Sequence, residues 1–331
     1  MKLATYTLDT GGAPRVGIVE GEGTAAVVRP LPTDASMREL IGAGIDAVRE
    51  LAARAGDPLA LADVTLQVPL TPASVRDFVT FEEHVEGVRR SVDGAAGVPE
   101  AWYDAPTFYF TNPHALVGDG ADVAFPARSV ARDFELEVAA VVGREGRSLS
   151  VEAAEAAIFG YLILNDWSAR DLQGREMKVG LGPAKGKDFA TTLGPWIVTA
   201  DELTDHRDED GFLRLGCTVS VNGIEVGRDL LSNMGWTFSA MIAYASRDSR
   251  VLPGDVLGSG TTGNGGCLAE LWGIRGEDAP PPLVDGDVVS ISVEAIGTIT
   301  NRVTSAPEVP ALPGFRKPTR QRPQVGEPVG R

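Results

Sequence analysis

The sequence predicts an α+β fold that is mostly β. Runs in which polar and apolar residues alternate, separated by glycine-containing turns, recur along most of the 331 residues. Segments with helical apolar periodicity are fewer and do not alternate regularly with the strand-like runs, which argues against repeated βαβ units. The length and the 43% hydrophobic content suffice for one large domain with a buried core and a smaller second domain.

Residues 1–70 form the smaller predicted domain, which is β-rich. Short strands separated by glycine turns are predicted at 2–7, 15–20 and 24–28. Ser36 and Glu39 have capping-box spacing, and the apolar-periodic stretch that follows them runs to Leu51, which predicts one or two helices. Pro69 and Pro72 mark the passage to the larger domain.

The larger predicted domain spans residues 71–305 and consists mainly of strands. We predict strands at 106–110, 134–142, 158–165, 215–221, 224–227, 255–258 and 287–303. Asn222-Gly223 between two alternating runs is a signal for a type I′ hairpin. Helices are predicted at about 81–92, 150–158 and 235–246.

Residues 306–331 are predicted to form an extended, proline-rich tail. The stretch from 305 to 331 holds six prolines and five Lys or Arg residues but only two acids. Few large apolar residues follow Leu312, so burial there cannot offset the entropy of ordering. Wrapping around a second subunit is an alternative role for this tail.

Charge and cysteine content restrict the class of protein. A net charge of −16 disfavours nucleic acid and anionic membranes as partners, although a local positive site can still hold an anionic substrate. Cys217 and Cys267 lack the Cys-x-x-Cys spacing of zinc sites and form no disulfide framework, so both are expected to be small core residues. The N-terminus lacks the apolar segment of a signal peptide, and no 18 apolar residues run together, which predicts a cytoplasmic protein.

Glu135 and Glu137 lie in an apolar, β-prone run. In a strand their side chains would share one face, about 7 Å apart along it. Carboxylates at this spacing can close around one hard cation such as Mg²⁺, and a shell of three or four would leave positions for substrate oxygens or water. The alternative is that both side chains line the solvated face of a half-buried strand.

Five motifs, in order, resemble the fumarylacetoacetate hydrolase family, and the resemblance covers roughly residues 70–305. They are Asp-Phe-x-x-x-x-x-His at 77–84, Phe-Glu-Leu-Glu at 134–137, Asn-Asp-Trp-Ser-Ala-Arg-Asp-x-Gln at 165–173, Gly-Lys-Asp-Phe at 186–189 and Ser-Gly-Thr at 259–261. The resemblance implies the β-roll fold of that family, a homodimer, and hydrolysis of a carbon–carbon bond in a small anionic diketo acid during aromatic-compound catabolism.

The resemblance also implies a metal site at Asp77, Glu135, Glu137 and Asp166. Mg²⁺ is the expected ion, with Ca²⁺ or Mn²⁺ as alternatives. Such an ion chelates the two oxygens of a β-diketone or a 2-oxo acid and stabilises the enolate that forms when a carbon–carbon bond breaks.

His84 is the expected catalytic base, because the resemblance places that base seven residues after the first metal ligand. Glu270 stands where hydrolytic members of the family carry the carboxylate that pairs with the histidine. The alternatives are a histidine on a helix surface and a glutamate on a strand face. His114 is expected in a turn or at a pocket rim, and His206 in a solvated loop.

Five further residues complete the implied site. Lys187 would supply positive charge near the developing oxyanion or the substrate carboxylate, or it simply extends to solvent. Arg170 and Gln173 share one helical face and are predicted to contact the substrate, although Arg170 can instead pair with Asp171 or Asp133.

Thr261 is predicted to hydrogen-bond a substrate carboxylate, and Tyr109 is a weaker candidate, since an aromatic residue in a strand is more typical of packing. The chain departs from the family at Met177, where fumarylacetoacetate-cleaving members carry a substrate-contacting tyrosine. This predicts poor turnover of fumarylacetoacetate and a less polar substrate arm. Gly87 replaces the glutamate of acylpyruvase members, and Arg89 is out of register with the substrate arginine of the fumarylacetoacetate-cleaving members.

Two other functions stay open at this point. Enolate stabilisation by a metal also serves a decarboxylase, a hydratase or an isomerase acting on a 2-oxo acid. A binding protein that keeps the fold without the chemistry is a third possibility, although such a protein has no reason to keep four mutually repelling carboxylates.

Overall fold

A computed structural model of the chain describes residues 1–8, 11–92 and 94–314. The strands are β1 (Lys2–Leu8), β2 (Arg15–Glu20), β3 (Val27–Pro30), β4 (Leu59–Ala60), β5 (Val64–Leu66), β6 (Val75–Phe78), β7 (Phe108–Thr111), β8 (Leu116–Val117), β9 (Asp122–Phe125), β10 (Arg132–Asp133), β11 (Leu136–Val142), β12 (Gly146–Arg147), β13 (Ile158–Asp166), β14 (Ser168–Ala169), β15 (Thr191–Thr199), β16 (Gly216–Val221), β17 (Ile224–Leu230), β18 (Arg250–Val251), β19 (Val256–Gly258), β20 (Val288–Val293) and β21 (Gly297–Ser305).

The α-helices are α1 (Met37–Ala43), α2 (Ile45–Ala52), α3 (Glu82–Val92), α4 (Val151–Glu155), α5 (Arg170–Met177), α6 (Phe238–Ser246) and α7 (Leu268–Arg275). Short 3-10 helices span Gly23–Ala25, Leu61–Asp63, Glu100–Tyr103, Ala200–His206, Leu231–Asn233 and Gly276–Asp278. Strands therefore dominate and helices are scattered among them, as the predicted α+β class requires.

A large sheet contains β6, β11 and β13, the strands that hold or adjoin the predicted metal ligands. Its order is β4-β3-β2-β1-β15-β13-β11-β19-β6-β7, with β5 added at β1 and β8 at β15. A second sheet has the order β17-β16-β20-β21-β9. Because β1 pairs with β15, with Lys2 opposite Val198, the N-terminal strands continue the same sheet as the later ones. The division of the chain into domains at residue 70 stays a prediction.

The centre of the large sheet is buried on both faces. Val138 and Ile163 lie in one buried cluster with Ile291 of the second sheet. Ala139 and other side chains of the opposite face pack in another cluster with Leu40 of helix α1. Each large apolar side chain buried in this way contributes about 1.5–3 kcal/mol. This double burial explains why β11 is apolar throughout except at Glu137, and it fixes the strands that hold the acidic residues.

Several local predictions are confirmed. Ser36 and Glu39 form a capping box at the start of α1. Asn222 and Gly223 have φ of 53° and 79°, which suits the type I′ turn between β16 and β17. The predicted strand at 287–303 is wrong in one respect. It is a hairpin, β20 and β21, whose turn includes Ala295 at a φ of 60°.

The described helices include none that is long and apolar enough to cross a membrane. The cytoplasmic location stays a prediction. Residues 306–314 form neither helix nor strand, and 307–314 are exposed. The rest of the predicted tail, 315–331, and with it much of the suggested wrapping around a second subunit, lies outside the described residues.

Candidate active site

Three of the predicted metal ligands converge at the end of the large sheet. Asp77 lies in β6, Glu137 lies in β11, and Glu135 directly precedes β11. Ligand oxygens of these three carboxylates all lie within 4.8 Å of one another, and all three side chains are buried. The predicted alternative, a solvated strand face, is therefore wrong for Glu135 and Glu137. A separation of this size suits ligands that share one cation.

Gly258 makes this convergence sterically possible. It lies in β19, between β6 and β11. A Cβ atom at this position would lie 2.7 Å from Oδ1 of Asp77 and 2.9 Å from Oε2 of Glu137. Any residue other than glycine would therefore push the two carboxylates out of their positions.

We expect Gly258→Ala to weaken Mg²⁺ binding at least tenfold, because the added methyl group displaces two oxygens without removing a charge. Calorimetric titration with Mg²⁺ measures the affinity. The control is Gly42→Ala in α1, where the nearest atom to a new Cβ is 3.8 Å away. Unchanged Mg²⁺ affinity of the folded Gly258→Ala protein would contradict this interpretation.

Asp166, the fourth predicted ligand, is the last residue of β13 and is not part of the group of three. Its Oδ2 accepts a hydrogen bond of 2.7 Å from Nζ of Lys187 and another from the hydroxyl of Tyr109. Lys187 also donates to Glu135 and so links the two carboxylates. Packing is the more typical role for an aromatic residue in a strand, but the hydroxyl of Tyr109 contacts a predicted ligand directly.

Burial dominates the electrostatics of these carboxyl groups. It raises the pKa of Asp77 and Glu137 well above the usual range. The charge of Asp166 raises the pKa of Asp77 further, and the charge of Asp77 does the same for Glu137. Burial also raises the pKa of Asp166 by more than Lys187 lowers it. At Glu135, burial acts in the same direction, but the cations Lys187 and Arg170 outweigh it and hold the pKa below its usual value.

Two buried oxygens point to a bound cation. In the described part of the chain, Oδ1 of Asp77 and Oδ1 of Asp166 have no hydrogen-bond partner. A buried carboxylate oxygen without a partner is costly unless a cation compensates it. The donors are hard oxygens, which suit Mg²⁺, Mn²⁺ or Ca²⁺ better than zinc. The residues present thus fit a divalent metal, and its identity is taken up below.

His84 and Glu270 come together from two helices, α3 and α7. Nδ1 of His84 lies 3.9 Å from Oε2 of Glu270, which has no hydrogen-bond partner among the described residues. Oε1 of Glu270 accepts from the backbone N–H of Gly265 at 2.9 Å. Glu270 lies on a helix, so the alternative of a strand-face glutamate is wrong. Because His84 is buried, the alternative of a helix-surface histidine is also wrong.

Burial sets the protonation of this pair. It lowers the pKa of His84 to about 4, with Arg170 and Lys187 acting in the same direction. It raises the pKa of Glu270 to about 7. At neutral pH the imidazole of His84 is therefore neutral and able to accept a proton.

Two glycines allow α3 and α7 to approach this closely. A Cβ at Gly87 would lie 2.5 Å from Cγ of Glu270, and a Cβ at Gly273 would lie 2.1 Å from the carbonyl oxygen of Gly87. The glycine at position 87 therefore makes room for a glutamate from another helix.

Gly87→Ala should lower kcat for the substrate proposed below at least tenfold, and it should also lower the melting temperature. The new methyl group must move both the side chain and the backbone of Glu270, and overpacking of this kind costs about 1–3 kcal/mol. Steady-state kinetics and thermal unfolding measure the two effects, with Gly42→Ala as the control. A variant with parental kcat and melting temperature would show that the helices can separate without consequence.

Asp133 and Cys267 have roles that the sequence did not indicate. The two carboxylate oxygens of Asp133 accept from the N–H groups of Leu268 at 2.7 Å and Ala269 at 3.0 Å, which caps helix α7. Sγ of Cys267 accepts from the N–H of Glu270 at 3.4 Å and lies 3.6 Å from Nδ1 of His84. Cys267 is a buried core residue, as predicted, but it also contacts the expected base.

Most of the predicted site residues line one cavity of about 480 Å³. The predicted site residues around it are Asp77, His84, Tyr109, Glu135, Glu137, Arg170, Gln173, Lys187 and Thr261. Asp166 and Glu270 do not line it, but they contact the lining residues Lys187 and His84. His114 is exposed in a turn, and His206 ends the 3-10 helix Ala200–His206; neither lines the cavity.

Arg170 and Thr261 are held by protein groups rather than left free. Arg170 donates to Asp133 at 2.8 Å, to Glu135 at 2.7 Å and to Gln173 at 3.0 Å. The predicted alternative, an ion pair with Asp133, is thus present. The hydroxyl of Thr261 donates to Glu137 at 3.4 Å. Contact of these side chains with a substrate stays a prediction.

Comparison with known proteins identifies the family to which the chain belongs. The family model described as fumarylacetoacetate (FAA) hydrolase C-terminal matches residues 73–304. A fumarylacetoacetase of Arabidopsis thaliana is 31% identical in an alignment that covers 75% of this chain and 73% of that protein.

Two solved structures extend the comparison. A fumarylacetoacetate hydrolase of Exiguobacterium antarcticum is 26% identical with a TM-score of 0.69, over 92% of this chain and 100% of that one. A 5-carboxymethyl-2-hydroxymuconate delta-isomerase of Mycobacterium smegmatis is 27% identical with a TM-score of 0.65, over the same shares. The chain therefore belongs to the fumarylacetoacetate hydrolase family and has its fold. Both predictions are confirmed, and the named relatives include hydrolases and an isomerase.

Proposed function

We propose that this protein is a divalent-metal-dependent hydrolase that cleaves a carbon–carbon bond of a diketo acid such as an acylpyruvate. The observation that carries the proposal is the buried pair of His84 and Glu270 beside a cavity whose other wall is a group of buried carboxylates. Stabilising an enolate requires only the metal, whereas hydrolysis also requires a base that activates water. The pair supplies that base.

Asp77, Glu135, Glu137 and Asp166 would hold the metal, which we propose to be Mg²⁺, with Mn²⁺ or Ca²⁺ as alternatives. When bound, it would stabilise the enolate that forms during bond cleavage. Lys187 and Arg170 keep Glu135 ionised and so ready to bind a cation.

His84 would act on water through Nε2, because Nδ1 faces Sγ of Cys267 at 3.6 Å and Oε2 of Glu270 at 3.9 Å. The neutral imidazole takes a proton from water, and the water oxygen attacks the acyl carbonyl carbon. The electrons of the carbon–carbon bond then pass to the 2-oxo acid fragment, which leaves as an enolate and is protonated to the ketone. Glu270 stabilises the imidazolium that forms and holds the ring in place.

The products of an acylpyruvate panel test the proposal in the presence of Mg²⁺. Hydrolysis yields equal amounts of pyruvate and the acyl carboxylic acid. A decarboxylase releases CO₂ instead, and an isomerase or tautomerase gives a product of unchanged mass. Either of those outcomes, without acyl acid, would replace the hydrolase proposal.

The partners follow from the same resemblance. We propose a small anionic diketo or 2-oxo acid as the substrate and a homodimer as the assembly, with neither nucleic acid nor a membrane as a partner. Light scattering coupled to size-exclusion chromatography measures the mass in solution, for which two copies of the 34.8 kDa chain are expected.

A further inference from the structure

The cavity has two chemically different ends. The inner end, as we call the buried polar part of the lining, holds the carboxylates, Lys187 and Arg170. The outer end, as we call the lining residues of α3 after His84, of 99–102 and of 177–183, consists of Arg89 and the apolar residues Val85, Val88, Pro99, Ala101, Trp102, Met177 and Pro183. A substrate whose acid group is held at the inner end would therefore extend its other arm along an apolar surface.

The segment that forms one side of this outer end is firmly attached to the rest of the protein. Nε1 of Trp102 donates to the carbonyl oxygen of Val79 at 2.6 Å. The neighbouring Tyr103 donates to Glu82 of helix α3. Because the one polar atom of Trp102 is bonded to the backbone, its ring offers the cavity only apolar surface. The apolar surface is thus preformed.

Charge at the outer end is limited to one side chain. Of the described residues there, Arg89 is the one cation, and it donates to the carbonyl oxygen of Gly97. Arg170 and Lys187 are both paired with buried carboxylates at the inner end. Arg89 therefore stabilises the segment that carries Trp102. A second carboxylate on the substrate would find, among the described lining residues, only cations that already have a protein partner.

We infer that the outer end of the cavity is an apolar subsite that takes an alkyl or aryl arm of the substrate, with Val88, Trp102 and Met177 determining specificity. The inference rests on the proposed function for the acid group at the inner end. It names the substrates as 2-oxo or diketo acids with an uncharged arm rather than dicarboxylic ones. Fumarylacetoacetate, which ends in a carboxylate, should accordingly be cleaved poorly.

Binding of three 2-oxo acids tests the inference without turnover. Pyruvate has no arm, whereas 2-oxohexanoate and 2-oxoadipate have chains of equal length that end in a methyl group and a carboxylate. Each buried methylene group is worth about fourfold in affinity. Calorimetry with the Mg²⁺-loaded protein should therefore give at least tenfold tighter binding of 2-oxohexanoate than of pyruvate, and tighter binding than of 2-oxoadipate.

Variants test whether the apolar residues of the outer end cause the preference for 2-oxohexanoate. Met177→Gln keeps the side-chain length but adds a polar end, and it should reduce the preference for 2-oxohexanoate over pyruvate about fivefold or more. Trp102→Phe, which keeps an aromatic ring but loses the bond to Val79, should reduce it too. Val179→Gln is the control, because Val179 is 74% exposed and does not line the cavity.

Several results would overturn the inference. Tighter binding of 2-oxoadipate, lost in Arg89→Met, would make Arg89 a carboxylate receptor. No preference between the acids, no detectable binding of any of them, or equal effects of Met177→Gln and Val179→Gln would also overturn it. The proposed function fails separately. If the protein prefers 2-oxohexanoate but releases no acyl acid from any acylpyruvate, the apolar subsite stands and the proposed hydrolase activity is wrong.

Discussion

Replacing His84 by alanine should lower kcat for acylpyruvate cleavage by about 10²–10⁴, which corresponds to about 3–5 kcal/mol of transition-state stabilisation. The imidazole is buried, neutral at neutral pH and adjacent to Glu270, so it is suited to take a proton from water. Mg²⁺ affinity should not change, because His84 is not among the converging carboxylates. Steady-state kinetics and calorimetric Mg²⁺ titration measure the two quantities.

Glu270→Gln should also lower kcat for acylpyruvate cleavage. The double variant should be little slower than His84→Ala, because residues that act as a unit do not contribute additively. The parent's kcat/KM should fall as the pH drops toward the lowered pKa of His84, since the protonated ring cannot act as a base. That acidic limb should vanish in His84→Ala. Parental turnover by the alanine variant would end the proposed mechanism and favour a metal-only decarboxylase or isomerase.

Replacing Glu137 by alanine should abolish the stabilisation that Mg²⁺ gives the parent, which amounts to about 2.7 kcal/mol at an ion concentration 100 times Kd. The change removes an anionic ligand from a site that needs several. Thermal unfolding with and without Mg²⁺ measures the effect. Glu135→Ala should behave likewise, and Asp166→Asn should weaken Mg²⁺ binding.

The stability of the metal-free proteins provides a second comparison. Without the ion, Glu137 is buried beside Asp77, and repulsion between them raises the pKa of Glu137 further than burial alone. The loss of stability caused by Glu137→Ala should therefore be smaller in the metal-free protein than in the presence of Mg²⁺. Glu209→Ala, at an exposed loop position, is the control. An unchanged rise in melting temperature with Mg²⁺ in both Glu135→Ala and Glu137→Ala would remove this pair from the site.

Features of the site that depend on neighbours in sequence could be predicted. Two residues two positions apart in an extended segment project to the same side, so the pairing of Glu135 with Glu137 follows from local geometry. The helical spacing of Arg170 and Gln173 is equally local, and the two side chains are hydrogen-bonded in α5.

Other features depend on residues far apart in the chain. Helix α7 was not predicted, because the carboxylate that caps it belongs to Asp133, 135 residues before Leu268. Strand β15 was missed because Pro195 interrupts its apolar run, and proline argues against a strand. The glycines at 87 and 258 are informative only once the side chain that approaches each of them is known.

The most direct test of the central claim is cleavage of an acylpyruvate in H₂¹⁸O with Mg²⁺, followed by mass spectrometry after a short incubation. If a water activated by His84 attacks the acyl carbonyl, each released carboxylic acid carries one ¹⁸O atom in its carboxylate, and pyruvate forms in equal amount. His84→Ala should form this labelled acid about 10²–10⁴ times more slowly. Consumption of the substrate with release of CO₂, or with no labelled acyl acid, would contradict the account.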